Sequence, residues 1–261
     1  MTNTLDGKTA VVVGGASGIG RAIAQLFADE GAKVFVGDFD FVDQDRASDE
    51  SQGIHCQGCD VRKESDVQQL IEAAYASGRL DILANSAGIG MVKPLTEVTE
   101  EDWDNVMATN LKGAFLACKH AIPCMAKGGG GAIINIASNA GLLPRAHDPV
   151  YSISKHGLVA LTKSLALSHA PENIRANAIC PGPVCDTRMM DGDLDTAPDR
   201  EAAIAKLIAA SPLATAQNRM ITPHEVAQSA LYLASDAALM VSGTMVAIDG
   251  AKSVGVPPVK A

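Results

Sequence analysis

Aromatic side chains are scarce in this 261-residue chain: one Trp, three Tyr and five Phe, 3% of the total. A core this poor in rings has to be aliphatic, and hydrophobic residues still make up 47%. That balance suits a buried parallel sheet sheathed by helices, whose strands read as short β-branched runs. Positive charge is short as well: 21 Lys and Arg face 30 Asp and Glu, a net charge of −9. No basic cluster stands out, so a nucleic-acid partner is not expected. Missing too is any apolar run near the ~20 residues of a membrane span. The opening Met-Thr-Asn-Thr-Leu-Asp-Gly-Lys lacks the basic stretch and apolar core of an export signal. These absences predict a cytoplasmic protein with no membrane partner.

Cysteine is present but unpatterned. Without an export signal the six thiols are expected to be free. Cys56-x-x-Cys59 has the spacing of half a metal site. No second pair follows at zinc-ribbon distance, and no helix start follows Cys56 as a redox motif needs, so no metal is expected.

What is there alternates strand and helix. Ala10 to Val13 is a β-branched run, followed by Gly14-Gly-Ala-Ser-Gly18-Ile-Gly20 and an amphipathic helix to about Glu30. Lys33 to Asp38 is a second strand. Strand, glycine turn, helix, strand opens a dinucleotide-binding unit. Glycines let backbone approach a pyrophosphate, and the free amides at the helix start favour its charge. Asp38, eighteen residues past Gly20, is positioned to accept hydrogen bonds from ribose hydroxyls. It repels a 2′-phosphate, and residue 39 is not an Arg, which favours NAD over NADP. A strand-end Asp that merely starts a turn is the plainer alternative.

Further strands are expected near 54–60, 80–84, 132–137, 174–179 and 244–248. Helices are expected from about 65, 99, 149, 200 and 222, with Ser65, Thr99 and Thr222 as caps. Residues 39–53 read as loop or a poor helix. Asn110 lies mid-helix among apolar neighbours, where it either bonds nearby backbone or orders a water. The segment from about 185 to 212 reads as a lid with a Met-lined inner face. No repeat or linker divides the chain, so it is one α/β domain with a doubly wound, mostly parallel, seven-stranded sheet. In such sheets ligands bind beyond the carboxyl ends of the strands. The glycine turn, Asp38, Asp60, Asn85, Ser138 and Pro181 all fall on that edge.

Tyr151 and Lys155 are four apart, on one face if helical. By itself that spacing also fits an ordinary surface helix. Beside Ser138 and a dinucleotide turn it becomes a candidate acid–base pair, with the ammonium lowering the tyrosine pKa from its free value of about 10.

Taken together, these motifs resemble the short-chain dehydrogenase/reductase family, in its single-domain Tyr-x-x-x-Lys subgroup, from Lys8 to Gly250. The resemblance implies a Rossmann-type fold and reversible oxidation of a secondary alcohol to a ketone, with NAD as cofactor and NADP less favoured. It implies catalytic roles for Asn110, Ser138, Tyr151 and Lys155. It assigns cofactor contacts to Gly14, Ser17, Gly18, Ile19, Gly20, Asp38, Asp60, Val61, Asn85, Ala87 and Gly88. Tyr151, Lys155, Pro181, Gly182, Val184 and Thr187 complete that set. Val13 stands where the family has Thr, Ser86 where it has a second Asn, and Thr187 comes one residue late. Ser138, Asn139, His147, Tyr151, Met189 and Met190 are the expected substrate contacts, in a pocket wall that also includes Leu142, Val150 and Val184. That wall is mostly apolar, with His147 either a polar handle or a solvated loop residue, and suits a medium-sized cyclic or hydrophobic secondary alcohol better than a highly charged acid. A dimer or tetramer through helices near 100–126 and 150–169 is likewise implied. Rivals are an NADPH-dependent carbonyl reductase of the same fold, and a dinucleotide-sensing binding protein without chemistry. The sensor reading sits poorly with an intact Ser, Tyr and Lys. Reduction of a C=C bond fits poorly with the four-residue Tyr–Lys spacing.

Overall fold

A computed structural model describes residues 3–42 and 53–255. Seven strands form one sheet, all pairings parallel, in the order β3-β2-β1-β4-β5-β6-β7. The strands are β1 (Thr9–Val13), β2 (Lys33–Asp38), β3 (Ile54–Gly58), β4 (Ile82–Asn85), β5 (Gly131–Ile136), β6 (Ile174–Pro181) and β7 (Met245–Ile248). The expected strands are therefore all present, and among the described residues no antiparallel edge strand interrupts them.

The pleat sorts each strand between two cores. Ala10 and Val12 of β1 face a cluster built with α1 (Gly18–Asp29) and α9 (Pro223–Ala234), including Ile23, Phe27, Val226 and Leu233. Val11 and Val13 face the opposite cluster, with Leu70 of α2 (Glu64–Tyr75) and Leu116 and Met125 of α4 (Gly113–Lys127). A strand buried on both faces has no polar side to alternate with, so β1 reads as an unbroken apolar run. Each fully buried Phe27 or Leu70 contributes on the order of 1.5–3 kcal/mol relative to an exposed side chain.

The capping boxes at Thr99 and Thr222 form as expected: Thr99 with Asp102 starts α3 (Glu100–Met107), and Thr222 with Glu225 starts α9. Two local expectations are corrected. α2 starts two residues earlier, with Lys63 rather than Ser65 at its N-cap. The Ser65 hydroxyl instead donates to Asp66 Oδ1 at 3.0 Å. The presumed single helix through Asn110 is broken: a five-residue π-turn, Ala108–Lys112, joins α3 to α4. A π-turn inserts one extra residue and swings its side chains round the axis, which brings Asn110 inward to 1% exposure.

Past β5, α5 (Pro149–Ser168) lies against the turn at 139–141. The expected lid is helical, with α6 (Arg188–Asp195), α7 (Arg200–Ala209) and the short α8 (Pro212–Gln217). Its first helix arises in a stretch whose Asp and Gly content reads as loop; the Thr187 hydroxyl caps it by accepting from Met190 N at 3.2 Å. The loop expected at 39–53 begins as a short 3₁₀ turn, Phe39–Phe41, and then lies outside the described residues. No helix among the described residues is long and apolar enough to cross a membrane.

Gly20 shows how tightly the first crossover is drawn. A Cβ there would meet the backbone oxygen of Gly14 within the glycine turn. Gly20→Ala therefore overpacks fixed backbone and is expected to destabilise the protein by about 1–3 kcal/mol. Urea denaturation checks this; unchanged stability would refute the close approach.

Candidate active site

The strand ends deliver side chains into one cleft of about 1330 Å³. Gly14, Ser17, Gly18, Ile19 and Gly20 line it at one end, with Asp38, Asp60 and Val61. Ala87, Gly88, Ser138, Tyr151 and Lys155 line its middle, and Pro181, Gly182, Val184 and Thr187 its roof. Asn139, His147, Met189 and Met190 face the same space. Leu142 and Val150 do not belong to this wall, and Val150 is fully buried in the protein. Leu143 lines the cleft instead.

At the glycine end, α1 begins without a side-chain cap and without an acidic residue in its first turn. Its leading amides are thus left to a ligand. Asp38 braces the turn: Oδ2 accepts from Ala16 N at 2.9 Å and Oδ1 from Asp40 N at 3.1 Å. Each carboxylate oxygen keeps further accepting capacity, so starting a turn and facing a ligand are compatible. Asp60 is held by Arg62, with contacts of 2.8 and 2.9 Å, and this hydrogen bonding keeps its carboxyl below the usual range.

Asn85 and Asn110 stand behind the cleft wall. Asn85 Nδ2 donates to Asn135 Oδ1 at 2.8 Å, and its own Oδ1 is buried without a partner. Asn110 pairs with the backbone N–H and C=O of Ile89, in the Ser86–Gly90 loop. Its Oδ1 accepts from Ile89 N at 2.8 Å, and its Nδ2 donates to Ile89 O at 3.0 Å and to Ser154 Oγ at 3.1 Å. The Ser154 hydroxyl donates to Tyr151 O at 2.7 Å. The backbone-bonding reading of Asn110 is met by its side chain, which clamps the loop to α5 through Ile89 and Ser154.

Ser138 follows β5, and its Oγ accepts from Ala140 N at 3.1 Å. Lys155 crosses from α5 to donate to Ile136 O at 2.9 Å. Its ammonium lies 5.8 Å from the Tyr151 ring centre, and the Arg145 guanidinium lies 5.6 Å from it. The expected lowering of the tyrosine pKa is corrected here. Burial raises it above the free value; the Ser138 hydroxyl and the Arg145 charge oppose that rise, while Asp148 and Asp193 add to it. Desolvation outweighs the nearby charges because the ring is 7% exposed. Burial also brings Lys155 down to about 8.

Residues 187–189 touch three parts of the cleft. Thr187 rests over Gly18, its Cγ2 3.1 Å from where a Cβ would stand. Arg188 pairs with Asp40, and Met189 packs on Gly90. The late Thr187 thus still reaches the glycine turn, through the extra reach of Cys185-Asp186, where Asp186 adopts φ +53°. Arg145, Asp193 and Lys252 also line the cleft. They escaped the motif reading because no spacing rule marks them. Among the described residues no group of His, Cys, Asp and Glu has the arrangement of a metal site. Burial pushes the Cys59 thiol up to about 12.

Lys155 sets a pH signature. Its folded pKa of about 8 lies below the ordinary 10.5, so the unfolded chain binds more protons between those values and stability rises with pH across that window. Relative to Lys155→Met, the wild type should gain stability as pH rises from about 8 to 10. Urea denaturation of both proteins at several pH values tests this, and parallel curves would refute the burial of the charge.

Comparison with known proteins agrees with this geometry. A family model described as enoyl-(acyl carrier protein) reductase, of the short-chain alcohol dehydrogenase type, matches residues 14–251. A D-threitol dehydrogenase from Mycolicibacterium smegmatis is 37% identical over 254 residues, covering 94% of this chain and 93% of the relative. A D-beta-hydroxybutyrate dehydrogenase from Rhizobium meliloti is 37% identical over 255 residues, covering 93% and 97%. The solved structure of Thermoplasma acidophilum aldohexose dehydrogenase in ligand-free form superimposes with a TM-score of 0.88 at 31% identity over the full length of both chains. With its parallel sheet, its glycine turn and its Ser138, Tyr151 and Lys155 in one cleft, the chain belongs to the short-chain dehydrogenase/reductase family and is a dehydrogenase of that family.

Proposed function

We propose that the protein is an NAD-dependent dehydrogenase interconverting a secondary alcohol and its ketone. The observation that carries the reading is the convergence of Ser138, Tyr151 and Lys155 on the cleft that begins at the glycine turn and Asp38. Relatives named for D-threitol and D-beta-hydroxybutyrate support an alcohol as substrate.

The residues present fit a dinucleotide. The uncapped start of α1 offers amides for the pyrophosphate. Asp38 faces the cleft as acceptor for ribose hydroxyls, and its charge disfavours a 2′-phosphate. Asp60 and Val61 would flank the adenine end. Ala87 and Gly88 offer backbone in the middle. Asn85 supports this set from behind the wall. Pro181, Gly182, Val184 and Thr187 would meet the nicotinamide end. When bound, NAD supplies the hydride acceptor.

The chain's own groups handle the proton and the oxygen. Ser138 Oγ donates a hydrogen bond to the substrate oxygen and stabilises charge that develops there. Tyr151 exchanges the proton with that oxygen. Its raised pKa makes the phenol the resting form, suited to donating toward a carbonyl; oxidation of an alcohol needs the phenolate. Lys155 is the close cation that favours this phenolate and is positioned for the nicotinamide ribose. Asn110 acts from behind, holding the Ile89 loop against α5. His147, Asn139, Met189 and Met190 form the substrate surround. The dehydrogenase relatives support a small-molecule alcohol as the partner, and exposed Phe115 and Ile153, on α4 and α5, are consistent with a homo-oligomer.

Alcohol oxidation should accelerate and ketone reduction should slow as pH rises, since the phenolate serves one direction and the phenol the other. Initial rates in both directions across pH 6–10 test the sign. Tyr151→Phe should lower turnover by about 10²–10⁴-fold, the usual scale of general acid–base catalysis, with NAD binding nearly unchanged. Retained activity in that variant would reject the assignment. A strong NADP preference in parallel assays would reject the role given to Asp38.

A further inference from the structure

We infer that the cleft selects a hydroxy acid, whose carboxylate is received between Arg145 and Lys252 while its carbinol lies at Ser138 and Tyr151. This rests on the alcohol dehydrogenase reading above and adds the chemical class of its substrate.

Arg145 is held in place by the substrate wall. Its Nη1 donates to Asp148 Oδ2 at 3.0 Å and its Nη2 to Asn139 Oδ1 at 2.8 Å. These bonds use two of five N–H donors, and the side chain keeps 31% exposure. It stands beside the Tyr151 ring, so a group bound to its free donors lies next to the proton-transfer site.

Lys252 is equally fixed, on a turn that the protein ties down. Lys252 N donates to Asp249 O at 3.3 Å and Ser253 N to Asp249 Oδ2 at 2.8 Å. Ser211, 1% exposed, donates its hydroxyl to Asp249 O at 2.8 Å and Gly250 O at 3.0 Å. The turn is thereby fastened to the lid at the start of α8. The Lys252 ammonium makes no hydrogen bond or ion pair among the described residues, yet it lines the cleft with Arg145.

Arg145 and Lys252 share the cleft with the carboxylates of Asp148 and Asp193. Asp148 is spent on Arg145 and 3% exposed. Burial raises the Asp193 carboxyl above the usual carboxylate range, and the Arg145 charge opposes that rise. Burial lowers the Lys252 ammonium below its ordinary range and Arg145 adds to that, while Asp249 opposes it. Two cations facing one partly dry space destabilise each other, and a ligand carboxylate between them relieves both. Met189, Met190 and Leu207 offer apolar surface for the carbon body. A polyol would leave the ammonium unpaired, and an amine would add a third cation.

The test compares hydroxy acids, with one to five carbons between carbinol and carboxylate, against their primary amides, which match them in shape without the charge. With NAD, the wild type should favour at least one acid over its amide by tenfold or more in kcat/KM, mainly through KM. Lys252→Met should cut that preference about tenfold, and Lys252→Arg should restore it, which a merely structural role would not produce. Lys252 is preferred to Arg145 for this purpose because removing Arg145 strands the buried Asp148. Calorimetric titration with cyclohexanecarboxylate and cyclohexanecarboxamide, which cannot be oxidised at a carbinol, supplies a readout apart from turnover. The wild type should bind the carboxylate more tightly, and Lys252→Met should lose the difference. Equal turnover of acids and amides overturns the inference and leaves the alcohol dehydrogenase reading standing. Absence of turnover with every alcohol strikes that reading instead, and the titration then decides whether the carboxylate site exists.

Discussion

The direction of the strands is the constraint on which the rest depends. A sheet whose strands all run parallel collects every carboxyl end on one edge. Each crossover must return to the far edge, so helices have to cover both faces. That requirement explains the two aliphatic cores on either side of β1 and the paucity of rings in them. It also explains why the glycine turn, Asp38 and Ser138, far apart in sequence, border one cleft. The sheet fixes where these groups emerge, and short turns fix how they point.

Position along the sheet is not enough to register α5 against the cleft. That is done by a polar relay behind the wall. The Asn110 amide imitates a backbone partner for Ile89, then continues through Ser154 to the carbonyl of Tyr151 itself. Lys155 adds a second tie, to Ile136 at the end of β5. Asn110, Ser154, Tyr151, Lys155 and Ile136 are nearly excluded from water. Leaving any one unpaired would cost the desolvation of a buried polar group, roughly 1–3 kcal/mol. The π-turn is the local distortion that allows Asn110 to take part.

What was legible in the sequence follows from the same physics. Strands buried on both faces leave β-branched runs, and helix starts leave caps, so the order of elements and the edge bearing the site could be read. Thr99 with Asp102 and Thr222 with Glu225 were legible because a capping box involves only neighbours in sequence. Ser65 misled because a hydroxyl near a helix start can serve Asp66 as readily as the backbone. The π-turn was not legible, since Ala108 to Lys112 carries no local signal for it, and the backbone of Ile89 that Asn110 meets there is distant in sequence. Arg145 and Lys252 were missed for a related reason. One precedes α5 and the other follows β7, and only the folded chain brings both to one space.

The tyrosine illustrates how a local rule yields to burial. Four-residue spacing does put Lys155 near Tyr151, but both side chains are withdrawn from water. Each is therefore pushed toward its neutral form, the phenol upward and the ammonium down to about 8. The pair does not start as phenolate and ammonium; it is one in which forming either charge makes the other easier to form. Charges that enter the cleft, or a ligand that displaces its water, then act on Tyr151 and Lys155 together. Arg145 sits at the junction of this pair and the substrate end, against the same ring that Lys155 approaches from the other element. A carboxylate bound at Arg145 would weaken the field that opposes the tyrosine's rise. Binding an acid and holding the phenol protonated are thus coupled through one guanidinium, and the coupling favours the direction in which Tyr151 donates its proton.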